Sequence, residues 1–174
     1  MKMMKLVAAA LALVLQLLVP ECGLAQGNTS VALYQQSAQL DVALGNGRKV
    51  AQRVFAMRQG VPESPNSPAA QAARIRPDEA EVVSTVFDHI ECYSGQFMSA
   101  LSVYLAITNE GDRNRIGPQI GKMRDTVADG IGDSLRQLEQ NVAPKLSGAR
   151  LRDAMADGIA EYRRAERIMR SMRF

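Results

Sequence analysis

The sequence has no tryptophan, one histidine and two cysteines, and only 5% of its residues are aromatic. Each scarcity excludes something. With His89 as the sole imidazole, no Glu-x-x-His pair can furnish the histidines of a carboxylate-bridged metal site. No Ser/His/Asp arrangement can be drawn without His89. Cys22 and Cys92 are far apart in the chain, so neither a Cys-x-x-Cys zinc pattern nor a haem-attachment motif is present. A phosphate-binding glycine loop and a dinucleotide fingerprint are also lacking. Hence no catalytic residue and no cofactor are assigned, and the chain reads as a non-enzyme. Without tryptophan, the core must come from Val, Ile, Leu, Met and Ala, a mixture that favours helices over strands.

Charge of one sign is scarce as well. Lys and Arg total 21 against 18 Asp and Glu, a net +3. That excess is too small to indicate a nucleic-acid partner.

The N-terminus carries the clearest signal. Lys2 and Lys5 precede an apolar run from Leu6 to Val19, broken only by Gln16; Pro20 then stops it, and Gly23-Leu24-Ala25 offers small residues to a signal peptidase. Residues 1–25 therefore read as a secretory signal peptide of bacterial type, cleaved after Ala25, and the destination as periplasmic or secreted. The run is about fourteen residues, short of the roughly 20 that a spanning helix needs. Lipid attachment at Cys22 fits poorly, because Pro20 and Glu21 precede it. After cleavage Cys92 is the one remaining thiol, which rules out an intrachain disulfide and leaves a buried, a reactive or an interchain cysteine.

Residues 26–174 read as a single all-α domain, an antiparallel bundle of about four main helices. The first spans about 30–59, capped by Asn28 or Thr29, with a kink or split at Gly45-Asn46-Gly47. Leu33, Leu40, Leu44, Val50, Val54 and Met57 form its apolar stripe. Residues 60–77, with Pro62, Pro65 and Pro68, form a linker that cannot continue a helix. The second helix spans about 77–109, with Gly111 as its stop. Its stripe runs through Val83, Val86, Ile90, Tyr93, Phe97, Leu101 and Tyr104. The third starts at Gly117 or Pro118 and ends at Val142 before Pro144, and the fourth runs from a Ser147 cap to Met172.

The third and fourth helices resemble each other. Residues 124–136 match 152–164, including Arg124-Asp125 with Arg152-Asp153 and Asp129-Gly130-Ile131 with Asp157-Gly158-Ile159. A duplicated helix and chance in a biased composition both account for this. Each copy has carboxylates at four-residue steps: Asp125, Asp129, Asp133, and Asp153, Asp157, Glu161. They lie opposite the apolar stripe, so they are expected to face water rather than to hold a metal.

Two places carry site candidates. His89 and Cys92 are one helical turn apart and could share a metal or form a base–thiol pair, although two ligands do not make a zinc site. The competing expectation is a structural thiol covered by another helix or the linker, or an interface thiol joining two chains in a homodimer. In the last helix, Arg163, Arg167 and Arg170 share one side and form a second interface candidate, suited to an anionic membrane surface or an acidic partner. Overall the sequence implies an exported protein that acts through contacts with a protein partner in the cell envelope, as a secretion or envelope accessory, an inhibitor or a chaperone-like binder. A membrane-surface binder using the basic last helix is the alternative, and a small redox or metal protein centred on His89 and Cys92 is the third reading.

Overall fold

Buried side chains recur at alternating three- and four-residue steps in three of the four helices. In the first helix, α1 (Leu24–Arg58), they fall at Leu40, Ala43, Gly47, Val50, Val54 and Met57. In α2 (Pro77–Ala106) they run Ala80, Val83, Phe87, Ile90, Ser94, Phe97, Leu101 and Tyr104. In the last helix, α4 (Ala149–Ser171), they run Leu151, Met155, Gly158, Tyr162, Ala165 and Met169. This spacing keeps one seam of each helix turned toward its neighbours when the helices wrap at a shallow angle. The third helix, α3 (Glu110–Gln137), buries Ile120, Val127, Ile131 and Leu135 against the same core.

The computed structural model describes residues 24–59 and 77–174. The expected leader at 1–25, apart from its last two residues, and the Pro-containing linker at 60–77, apart from Pro77, lie outside the described residues. Of the described residues, 33–59 and 77–174 belong to one compact unit and 24–32 to another. Among the described residues there is no strand, and residues 33–174 hold an all-α antiparallel bundle.

Side-chain contacts fix the topology. Tyr34 Oη donates to the carbonyl of Leu105 at 2.8 Å, and Arg58 pairs with Glu81 at 3.2 Å, so α1 and α2 run in opposite directions. Gln36 reaches the Ser171 hydroxyl at 3.1 Å and Arg53 reaches Asp157 at 3.0 Å, which makes α1 and α4 antiparallel too. Between α3 and α4, Arg170 meets Asp129 at 2.8 Å and Arg163 meets Glu139 at 2.9 Å, with the same result. Consecutive helices are thus neighbours, and α4 closes the ring on α1, as in an up-down bundle.

Several local expectations are corrected. The helix α1 already includes Asn28 and Thr29, which therefore do not cap it, and it continues through Gly45-Asn46-Gly47 without a break. The reason for Gly47 is close packing: a Cβ there would sit 2.6 Å from Cε1 of Tyr162 in α4. The second helix ends at Ala106, and Gly111 is not its stop. Asn109 caps α3 instead, its side chain accepting from the Asp112 N–H at 3.1 Å, with Glu110 and Asp112 in the first turn. Pro118 therefore lies inside α3 rather than at its start. Beyond Gln137 the chain widens into a π-turn (Leu138–Val142) and tightens into a 3₁₀ turn (Ala143–Lys145). Pro144 lacks the N–H that would extend the α-ladder.

Gly148, not Ser147, is the N-cap of α4. The Ser147 hydroxyl and N–H both donate to Glu79 at the start of α2, at 2.9 and 3.1 Å, tying the α3–α4 turn to that end of the bundle. Tyr93 is also displaced from its expected place in the apolar stripe. It is 48% exposed, and Ser94 takes the core position, its hydroxyl donating to the Ile90 carbonyl at 2.7 Å.

Candidate functional site

The C-terminal half of α2 presents no charge to solvent, whereas Glu81 and Asp88 are exposed in its N-terminal half. Between Cys92 and Asn109 the sequence has no charged residue. One row on the solvent side holds Val82, His89, Gln96 and Val103, all exposed. The flanking rows are Thr85, Cys92 and Ser99 on one side and Val86, Tyr93 and Ala100 on the other. The whole strip from Val82 to Val103 covers about 32 Å at 1.5 Å per residue. Serine and threonine hydroxyls on it are turned inward to their own helix: Thr85 donates to the Glu81 carbonyl at 2.9 Å and Ser99 to the Gly95 carbonyl at 2.9 Å. Such self-satisfied hydroxyls leave valines, the Tyr93 ring, His89, Cys92 and Gln96 as the outward surface.

His89 and Cys92 both fall within this strip, and both are exposed. Cys92 is therefore not covered by another helix. Its Sγ accepts a long contact of 3.8 Å from Gln96 Nε2. Among the described residues no group of three or more His, Cys, Asp or Glu side chains is placed to hold a metal ion.

A second polar feature sits between α1, α2 and α4. The Tyr162 hydroxyl donates to Glu91 Oε1 at 3.2 Å, and Arg48 lies 3.5 Å from Glu91 Oε2. Burial, reinforced by the negative charge of Glu91, pushes the Tyr162 phenol well above its ordinary range. The phenol therefore stays protonated and acts as a donor. The adjoining cavity, bordered by Leu44, Ser94 and Met98, holds about 80 Å³. That is far below the roughly 300 Å³ of small ligand pockets. The cluster thus links three helices through one carboxylate. Sequence reasoning misses Glu91 and Arg48, because their pairing arises only when α1, α2 and α4 meet.

The arginines of α4 are largely engaged. Arg163 pairs with Glu139 and with Glu166, the latter at 3.2 Å, and Arg170 pairs with Asp129 and with Glu166 at 3.0 Å. Hydrogen bonds to Asp129 and Glu166 raise the Arg170 pKa; at Arg163, burial acts downward but bonds to Glu139 and Glu166 prevail. Arg167 is exposed. The acidic rows supply partners to these networks: Asp129 holds Arg170, Asp157 holds Arg53, Asp133 pairs with Arg136, and Asp125 with Arg124 at 2.8 Å. No described helix is long and apolar enough to cross a membrane.

No family model, curated protein or solved structure matches this chain.

Proposed function

We propose that the chain is an exported, non-enzymatic helical-bundle protein of the periplasm or cell exterior, acting in the envelope through protein–protein contacts. The roles that fit are a secretion or envelope accessory, an inhibitor or a chaperone-like binder. The observation that carries this reading is the uncharged C-terminal half of α2, where Tyr93 and Val103 are exposed. A surface helix in a chain with 22% charged residues ordinarily presents charge to water. Depletion of charge with retained aromatic and aliphatic groups is the composition of the buried centre of a protein interface. The leader at 1–25 supports export.

The test has two parts. The intact mass of protein recovered from the exported fraction is expected to begin at Gln26; a chain that keeps residues 1–25 overturns export. A photo-cross-linking residue at Val103 is expected to give protein adducts in that fraction, whereas one at Asp153 on the acidic row does not. Equal adduct yields from both positions, or none from Val103, overturn the assignment of the α2 face.

A further inference from the structure

The last helix stops at Ser171, yet the residues that follow it stay on the bundle. Met172 turns to extended backbone, with ψ 142°, after its N–H closes on the Met169 carbonyl at 3.0 Å. Helix ends fray unless they are tied down. Here Met172 is fully buried and Phe174 half-buried.

Each of the other helices supplies a tie. In α1, Gln36 Nε2 donates to the Ser171 carbonyl at 3.3 Å and to its hydroxyl at 3.1 Å. In α3, the Arg124 guanidinium donates to the Met172 carbonyl and lies 5.7 Å from the centre of the Phe174 ring, within cation–π range. In α2, the Tyr104 ring meets Phe174 edge-on, with centroids 5.4 Å apart. Gly117 brings the α3 backbone to the same place: a Cβ there would lie 3.4 Å from Tyr104 Oη and 3.6 Å from Phe174 Cβ.

Arg124 joins these contacts. Its side chain is only 14% exposed and also pairs with Asp125 at 2.8 Å. A guanidinium so placed must satisfy its donors locally, since they cannot all reach water. The group that holds the Met172 carbonyl therefore also faces the Phe174 ring. Arg152, its counterpart in the resembling stretch of α4, turns instead to the Leu146 carbonyl at 3.3 Å.

The hold on residues 172–174 comes from side chains rather than from a helix ladder, and the Gln36 bonds are exposed to solvent. Segments held in this way open at a lower free energy than the whole domain.

We propose that Met172–Phe174 is a strap that closes this end of the bundle, seated by Tyr104, Gly117 and Arg124, and that it opens as a unit while the four helices stay packed. Opening uncovers the Tyr104 ring and the seat of Met172, an apolar surface at the end of α2. The strap depends neither on export nor on the solvent face of α2.

The test uses the purified chain carrying Cys22→Ser and Cys92→Ser, with one buried thiol introduced by Met172→Cys or, for comparison, by Ile131→Cys in the core, where Ile131 is fully buried. Maleimide labelling under native conditions reports how often each thiol is uncovered. Labelling of the Met172→Cys chain is expected to be nearly independent of urea at low concentration. Labelling of the Ile131→Cys chain is expected to rise steeply, because global unfolding exposes far more surface. Adding Phe174→Ala or Arg124→Met is expected to speed labelling of the Met172→Cys chain about tenfold without making it steeply urea-dependent. Hydrogen exchange at the Met172 amide, with and without Phe174→Ala and against urea, makes the same comparison if Met172→Cys prevents folding. A urea dependence as steep as that of the Ile131→Cys chain, or a rate that neither Phe174→Ala nor Arg124→Met changes, overturns the proposal.

Discussion

A Cβ placed on Gly158 would lie 2.4 Å from Cζ of Phe87, and Phe87 is fully buried. The ring of α2 lies directly against the backbone of α4 at this level, and it also packs on Tyr162 with ring centroids 5.4 Å apart. A methyl group at Gly158 must therefore displace a ring held on all sides. The substitution Gly158→Ala is expected to destabilise the bundle by about 1–3 kcal/mol, the usual range for overpacking. Gly130 occupies the matching place in the resembling stretch of α3, yet a Cβ there meets nothing within 4 Å. Gly130→Ala is expected to stabilise by up to about 1 kcal/mol through helix propensity. Urea unfolding of the two variants beside wild type checks both signs.

Two buried serines of α2 give a second contrast. Ser94 donates to the Ile90 carbonyl, whereas the Ser84 hydroxyl has no hydrogen-bond partner. Removing an unsatisfied buried hydroxyl relieves its desolvation cost, so Ser84→Ala is expected to be neutral or stabilising by about 1 kcal/mol. Ser94→Ala, which removes a made bond, is expected to cost about 0.5–1 kcal/mol. Thermal unfolding of each variant measures the difference.

The Tyr162 phenol couples stability to alkaline pH. Its folded pKa is raised above the ordinary value of 10.0, by burial first and by Glu91 second. The stability it contributes is complete below about pH 10 and is lost as pH rises from there toward the folded value, because the unfolded chain ionises first. The ultraviolet titration of wild type should therefore show Tyr162 ionising only as the protein unfolds. Tyr162→Phe is expected to flatten the loss of stability above pH 10 while costing about 0.5–1.5 kcal/mol near neutrality for the lost hydrogen bond.

Glu166 stands between Arg163 and Arg170 with its side chain only 12% exposed, and a Cβ on Gly132 would approach its Oε1 to 3.0 Å. Glu166→Gln is expected to destabilise by about 1–2 kcal/mol, since a partly buried carboxylate accepts from two guanidinium groups. Asp157→Asn breaks only an exposed pair with Arg53 and is expected to cost no more than about 0.5 kcal/mol, an effect that moderate salt removes. Denaturation at low and high salt separates the two cases.

The helices and most of their buried faces are legible in the sequence because burial recurs with the helical period. The apolar residues named for α1, from Leu33 to Met57, are all buried. Where polarity and period conflict, the sequence misleads. Both Tyr93 and Ser94 lie within a turn of Ile90 and Phe97, and hydrophobicity favours Tyr93. Phe87 decides otherwise, because the alternating steps from Phe87 through Ile90 to Phe97 put Ser94 on the seam. Glycine is equally ambiguous. Gly47 reads as a breaker until the Tyr162 ring of α4 is placed beside it. The turn between α2 and α3 is legible only by comparing caps, since Asn109 with acidic residues after it outcompetes Pro118 as a helix start. The candidate surface is visible as an uncharged stretch, but which of its rows face water emerges only when the buried residues are placed.

The most direct test is photo-cross-linking from Val103, with Asp153 as the control position. Val103, 68% exposed, lies at one end of the α2 strip, and Asp153 lies on the acidic row of α4. Protein adducts from Val103 and none from Asp153 are the result predicted. Equal yields from both positions, or none from Val103, contradict it.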